Sequence, residues 1–160
     1  MPSSRTSGAE PLFLDTSVLV RLYYLEPEDP FEWAVDLAQR PGTPLAASHL
    51  AYVETLATFH ALRRGRAITS RRQASLSAAF RADWPAFLRV PLSPPVVQLA
   101  GALAEEHPLR GADALQLASF AWLWEKEGKG RFFTLDRRLY RVARDLVPVV
   151  PVPAFEEDGP

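Results

Sequence analysis

Four acidic residues fall where carboxylates can meet: Asp15, Glu54, Asp113 and Asp136. Asp15 follows the apolar run Leu12-Phe13-Leu14 and precedes Thr16-Ser17. It therefore lies at the carboxyl edge of a strand and at the start of a helix, where open α/β sheets place their ligands. Asp136 follows a second strand-like run, Arg131 to Thr134. Asp113 opens the strongest helical pattern, just after Gly111, and Glu54 sits past the first turn of another. In a parallel sheet the strand ends and the helix starts that follow share one edge, so all four acids can face one pocket. Carboxylates packed that closely repel, and one stays protonated without a cation. A divalent ion relieves the repulsion, and an oxygen-only donor set selects Mg²⁺ or Mn²⁺ over zinc. Such an ion turns bound water into a nucleophile near neutral pH and stabilises charge on a phosphate.

Each aspartate has a plainer reading as a helix cap, stabilised by the helix dipole. Glu54 does not fit that role. A capping box needs Ser or Thr three residues earlier, and that residue is Ala51. Its own plain reading is a solvated helix face, yet Tyr52, Val53 and Leu56 beside it are apolar. The metal reading gains its force from the combination.

The elements that must position these acids alternate in type. Strand patterns at 12–14, 44–47, 87–92, 131–134 and 146–150 are separated by helical ones. The helices are read at 17–25, at 31–40, from about 49 to 64 with Ser48 as cap, and from Ser70 as cap to about 86. Ser93-Pro94 opens another that continues to about 107; the last two run over 111–127 and 136–145. This alternation predicts a three-layer α/β/α sandwich with a central, mostly parallel sheet. Residues 1–10 read as a loose tail, 11–150 as one domain and 151–160 as an acidic, proline-rich tail. A chain of 160 residues is long enough to bury about 70% of its unfolded surface without staples.

Composition removes several chemistries. There are no cysteines, which excludes disulfides, thiolate zinc sites and cysteine nucleophiles. His49, His60 and His107 are scattered, and none makes a two-histidine zinc pattern. The formal net charge of −1 means that any basic footprint for nucleic acid must be local. The polar start lacks the apolar core of a secretory signal, and no apolar run approaches a membrane span, so a cytoplasmic protein is expected.

Asp-Thr-Ser-Val-Leu-Val at 15–20, Glu54 in Tyr-Val-Glu-Thr, Leu-Arg-Gly-Ala-Asp-Ala-Leu-Gln-Leu-Ala at 109–118 and Phe-Phe-Thr-Leu-Asp-Arg-Arg-Leu at 132–139 together resemble the PIN domain. Within that family the chain is most similar to the VapC-type ribonuclease toxins of bacterial toxin–antitoxin pairs. The resemblance runs from Leu12 to about Val150. It implies Asp15, Glu54, Asp113 and Asp136 as ligands of Mg²⁺ or Mn²⁺, directly or through water. Thr134 matches the family's hydroxyl two positions before the last aspartate, and Ser17 is a second polar support. It also implies an RNA substrate, a product with a 5′-phosphate and a 3′-hydroxyl, a small VapB-like antitoxin partner and a homodimer.

Other features divide between plain and functional uses. Arg63, Arg64, Arg66, Arg71 and Arg72 form either a solvated interhelical turn, a grip on an RNA backbone or a docking surface. Arg110, three residues before Asp113, is placed to touch a scissile phosphate. Phe120, Trp122 and Trp124 read as core aromatics. Two other classes of protein share an aspartate after the first strand. An aspartyl-phosphate phosphatase commonly needs a second aspartate at position 17, which is Ser17. A response-regulator receiver wants paired acids at the first strand end and a late lysine, and the only late lysines, Lys126 and Lys129, sit in or just after a helix. The non-enzymatic alternative is a PIN-like RNA- or protein-binding module.

Overall fold

The structure, a computed structural model, describes residues 8–157. Four short strands, β1 (Leu12–Leu14), β2 (Leu45–Ser48), β3 (Leu88–Val90) and β4 (Arg131–Phe133), pair in the order β3-β2-β1-β4. Every pair is parallel; Phe13 stands beside both Ala46 and Phe132. Helices α1 (Thr16–Arg21), α2 (Glu32–Ala38), α3 (His49–Arg64), α4 (Ser70–Asp83), α5 (Pro94–Glu106), α6 (Gly111–Glu127), α7 (Arg137–Leu146) and α8 (Pro153–Glu156) complete the chain. This is the three-layer arrangement that the alternation of patterns predicts.

Successive strand side chains point to opposite faces, and both faces are apolar. Leu12, Leu14, Ala47 and Phe133 face one core, with Val18, Phe59 and Phe80 from the helices. Phe13, Ala46 and Phe132 face the other, with Val96, Leu117, Phe120 and Leu139. The Phe13, Phe120 and Phe132 rings stand 5.6–5.8 Å apart in each pairing, within the range of favourable aromatic contact. Gly130 is required between α6 and β4: its φ is +139°, and an added Cβ would meet the Phe120 ring at 3.3 Å. Trp124, read as core, is 36% exposed.

Several boundaries differ from the sequence expectation. Helix α1 stops at Arg21 rather than Leu25. Thr69, not Ser70, caps α4, accepting from the Arg72 N–H at 3.1 Å, and Trp84–Ala86 form a separate 3-10 turn before β3. Ser93 precedes α5 without a side-chain capping bond. The expected final strand at 146–150 is reduced to one bridge, Phe132 with Val149. Leu146 extends α7 instead, and Pro148 and Pro151 lack the N–H groups that a longer ladder needs. The segment read as an acidic tail places Val152 and Phe155 in the first core; residues 158–160 of it lie outside the described residues. Of the expected N-terminal tail, residues 1–7 also lie outside them, while Gly8 to Glu10 are exposed. Among the described residues no helix is long and apolar enough to cross a membrane.

Candidate metal centre

The neighbouring strands β1 and β4 end side by side, and their carboxyl ends carry Asp15 and Thr134-Leu135-Asp136. Asp15 leaves the sheet in an extended conformation and caps α1, its Oδ1 accepting from the Val18 N–H at 3.3 Å. The Ser17 hydroxyl donates to Oδ1 and the Thr134 hydroxyl to Oδ2, each at 2.5 Å. Those hydroxyls are themselves fixed. The Leu135 N–H donates to Ser17 Oγ at 2.9 Å, and the Asp136 N–H to Thr134 Oγ1 at 3.0 Å. Asp136 then caps α7, its Oδ1 accepting from the Leu139 N–H at 3.0 Å. The cap reading of Asp15 and Asp136 is therefore correct as far as it goes; each has a second oxygen beyond the cap.

Glu54 enters from the second turn of α3, which starts at the end of β2. Its Oε1 accepts from the Thr16 hydroxyl at 2.8 Å and from Gln116 Nε2 at 3.2 Å. Gln116 Oε1 in turn accepts from Ser48 Oγ at 3.0 Å, and Ser48 Oγ caps α3 through the Ala51 N–H. One amide thus ties α6, β2, α1 and α3 together. Asp113 sits in the first turn of α6, half-buried.

All four acids line one cleft of about 140 Å³, with Thr16, Ser17 and Gln116. Arg110 is exposed at the start of α6, outside that lining, and its charge acts on Asp113. Burial, with the Asp136 charge adding to it, pushes the Asp15 carboxyl up to about 6 against the hydroxyl and N–H donors that pull it down. Asp113 is also raised, first by burial and then by the charges of Asp136 and Glu54, while the Arg110 N–H and guanidinium oppose this. The carboxylates therefore sense one another. Among the described residues no three acids or histidines are drawn into a ready-made chelate; Asp15, Glu54 and Asp136 are instead engaged with protein donors. An oxygen-only, mutually repelling donor set suits a hard divalent cation.

A family model for the PIN domain matches residues 12–145. The chain belongs to the PIN domain family. Ribonuclease VapC45 of Mycobacterium tuberculosis (strain CDC 1551 / Oshkosh) is 41% identical over 73 residues, 46% of this chain and 51% of that protein; Ribonuclease VapC49 of strain H37Rv gives the same figures. The match thus spans about half the length of these curated relatives. The Mycobacterium tuberculosis toxin VapC20, described as cleaving the sarcin-ricin loop, superposes with a TM-score of 0.59 at 21% identity, covering 88% of this chain and 99% of that one. A toxin–antitoxin complex from Klebsiella pneumoniae superposes with a TM-score of 0.57 at 18% identity, over 81% of this chain and 89% of that one. At those identities the superpositions speak for the fold.

In this PIN domain the structure brings Asp15, Glu54, Asp113, Asp136, Ser17 and Thr134 together. Sequence reasoning passed over Gln116 and Thr16. Gln116 had a signal, since it is the one polar side chain in the run Ala114 to Ala118 that follows Asp113, and it lies three residues on, along the same helix face.

Proposed function

We propose that this PIN domain is a metal-dependent endoribonuclease and the toxin half of a toxin–antitoxin pair. The observation that carries the reading is the convergence of four acids from four elements on one cleft at the carboxyl edge of the sheet. Asp15, Glu54, Asp113 and Asp136 would hold Mg²⁺ or Mn²⁺. When bound, the ion lowers the pKa of a coordinated water and neutralises charge gathering on the phosphate. Ser17 and Thr134 hold both Asp15 oxygens in place, so that carboxylate is preorganised. Thr16 and Gln116 do the same for Glu54. Arg110 places a positive charge beside Asp113, on the approach of a phosphate. No side-chain nucleophile is required, and hydrolysis would leave a 5′-phosphate and a 3′-hydroxyl. The names of the relatives and the Klebsiella complex support RNA as substrate and a small antitoxin as partner; a homodimer is proposed with them.

The test is incubation of purified protein with total RNA and Mg²⁺, followed by mapping of the new ends, with Asp113→Asn as control. Cuts made by wild type and lost in the variant support the nuclease. Equal cutting by both assigns the activity to another source. Calorimetric titration with Mn²⁺ of wild type and Asp15→Asn separates the binding-module alternative, for which neither protein takes up the ion.

A further inference from the structure

A larger cleft adjoins the one that holds the acids, with Thr16 and Ser17 lining both. The second cleft, about 330 Å³, runs between α1 and α3 from Thr16 to Leu62. That volume lies within the ~300–1,000 Å³ usual for small-molecule clefts. Its walls are largely apolar, with Val20, Tyr24 and Leu62 among them. One polar wall is already satisfied. Arg21 Nε donates to Asp29 Oδ2 at 3.0 Å and its Nη1 to the Ser17 carbonyl at 2.7 Å, while Asp29 Oδ1 accepts from the Phe31 N–H at 2.8 Å. Glu26 differs. The residue is exposed on the lining, and its side chain has no hydrogen-bond or ion-pair partner among the described residues.

An unpaired carboxylate on a cleft that adjoins the proposed phosphate-binding centre repels a polyanion unless it meets hydrogen-bond donors. Single-stranded RNA is read by stacking unstacked bases on aromatic rings and bonding their Watson–Crick edges. Among the four bases only guanine presents two adjacent donors on that edge, N1–H and the N2 amine, which match two carboxylate oxygens. Adenine and cytosine offer one amine beside an acceptor, and uracil one N–H between two acceptors. Resting on the nuclease reading, we propose that this cleft seats the nucleobase next to the scissile phosphate, that Tyr24 packs on it, and that Glu26 selects guanine.

The experiment uses short single-stranded RNAs that differ only at the nucleotides flanking the cut, cleaved by wild type and Glu26→Gln. Because Glu26 is exposed, the substitution leaves the fold intact. Wild type should prefer guanine at one flanking position over adenine, and the variant should lose roughly tenfold of that preference, the scale of one hydrogen bond to a charged group. Wild type that cuts without a guanine preference, or a variant that keeps it, overturns the assignment and leaves the nuclease standing; that is also the outcome if a protein segment occupies the cleft. A wild type that cuts no RNA removes the nuclease reading and the scissile phosphate with it. Titration of guanosine and adenosine 5′-monophosphates, followed by NMR shifts, then decides the cleft alone: guanosine-selective binding lost in Glu26→Gln supports a base site, and equal binding rejects it.

Discussion

Asp15 is where stability and the proposed function pull apart most clearly. Burial lifts its carboxyl from an ordinary 3.8 to about 6. A folded-state value above the unfolded one means that the folded chain holds the proton more tightly. Metal-free stability is therefore lost as pH rises from about 4 through about 6. Two pH units at ~1.36 kcal/mol each set a ceiling near 3 kcal/mol. Asp15→Asn removes that penalty. In chelator at pH 7.5 the variant should melt roughly 4–8 °C above wild type and the gap should close near pH 4, while RNA cleavage is abolished. Added Mn²⁺ should raise the melting temperature of wild type and not of the variant. A variant that melts with or below wild type at pH 7.5 shows that Asp15 is not stressed in the folded state. Gln116 calls for the opposite outcome. Gln116→Leu keeps the volume but leaves Glu54 with Thr16 alone. We expect a stability loss of about 1–3 kcal/mol and weaker Mn²⁺ binding by calorimetry. Unchanged Mn²⁺ affinity would reduce Gln116 to a structural tie.

At the scale of elements, the segment after α7 is the part whose role is least visible in sequence. Phe155 is buried, its ring 5.9 Å from Phe31 and 5.4 Å from Tyr140. The Tyr140 hydroxyl bonds the Glu156 carboxylate and accepts from the Val152 N–H, so the segment is clasped to α7. Phe155→Ala should cost roughly 3 kcal/mol, read as a lower urea midpoint at unchanged slope; a midpoint equal to wild type means that the segment adds nothing to the folded state. A four-residue helix among three prolines has no periodicity to announce it, and its anchors lie far back in the chain. By contrast α3 and α6 were legible nearly to the residue, because Ser48 and Gly65 bound one and Gly111 and Gly128 the other. The choice between Thr69 and Ser70 was not, since adjacent hydroxyls cap equally well until the backbone decides. The same division holds in the cleft. Acids at strand ends advertise themselves by charge and junction, whereas the bonds from Gln116 to Thr16 and Glu54 join residues 100 and 62 positions apart, and no local pattern encodes such pairs.

For the whole molecule the proposed function raises the question of how a chain of net charge −1, with four acids crowded at one sheet edge, would attract a polyanion. Compensation must be local and in line with the cleft. Helix α3 supplies the axis: Glu54 lies near its start and Arg63 and Arg64 at its end, about 14 Å further along at ~1.5 Å per residue. Leu62, at the far end of the second cleft, sits beside that arginine turn. Arg64, Arg66, Arg71 and Arg72 are exposed there. An RNA strand following the cleft from the acids would therefore reach them within a few nucleotides. Each phosphate contact on a single strand contributes about −0.7 to the slope of log affinity against log salt. The double variant Arg64→Gln, Arg71→Gln, measured with a non-cleaved Asp113→Asn background, should weaken RNA binding and flatten that slope by about 1.4. If the slope is unchanged the turn is a solvated surface, and the path along α3 is rejected.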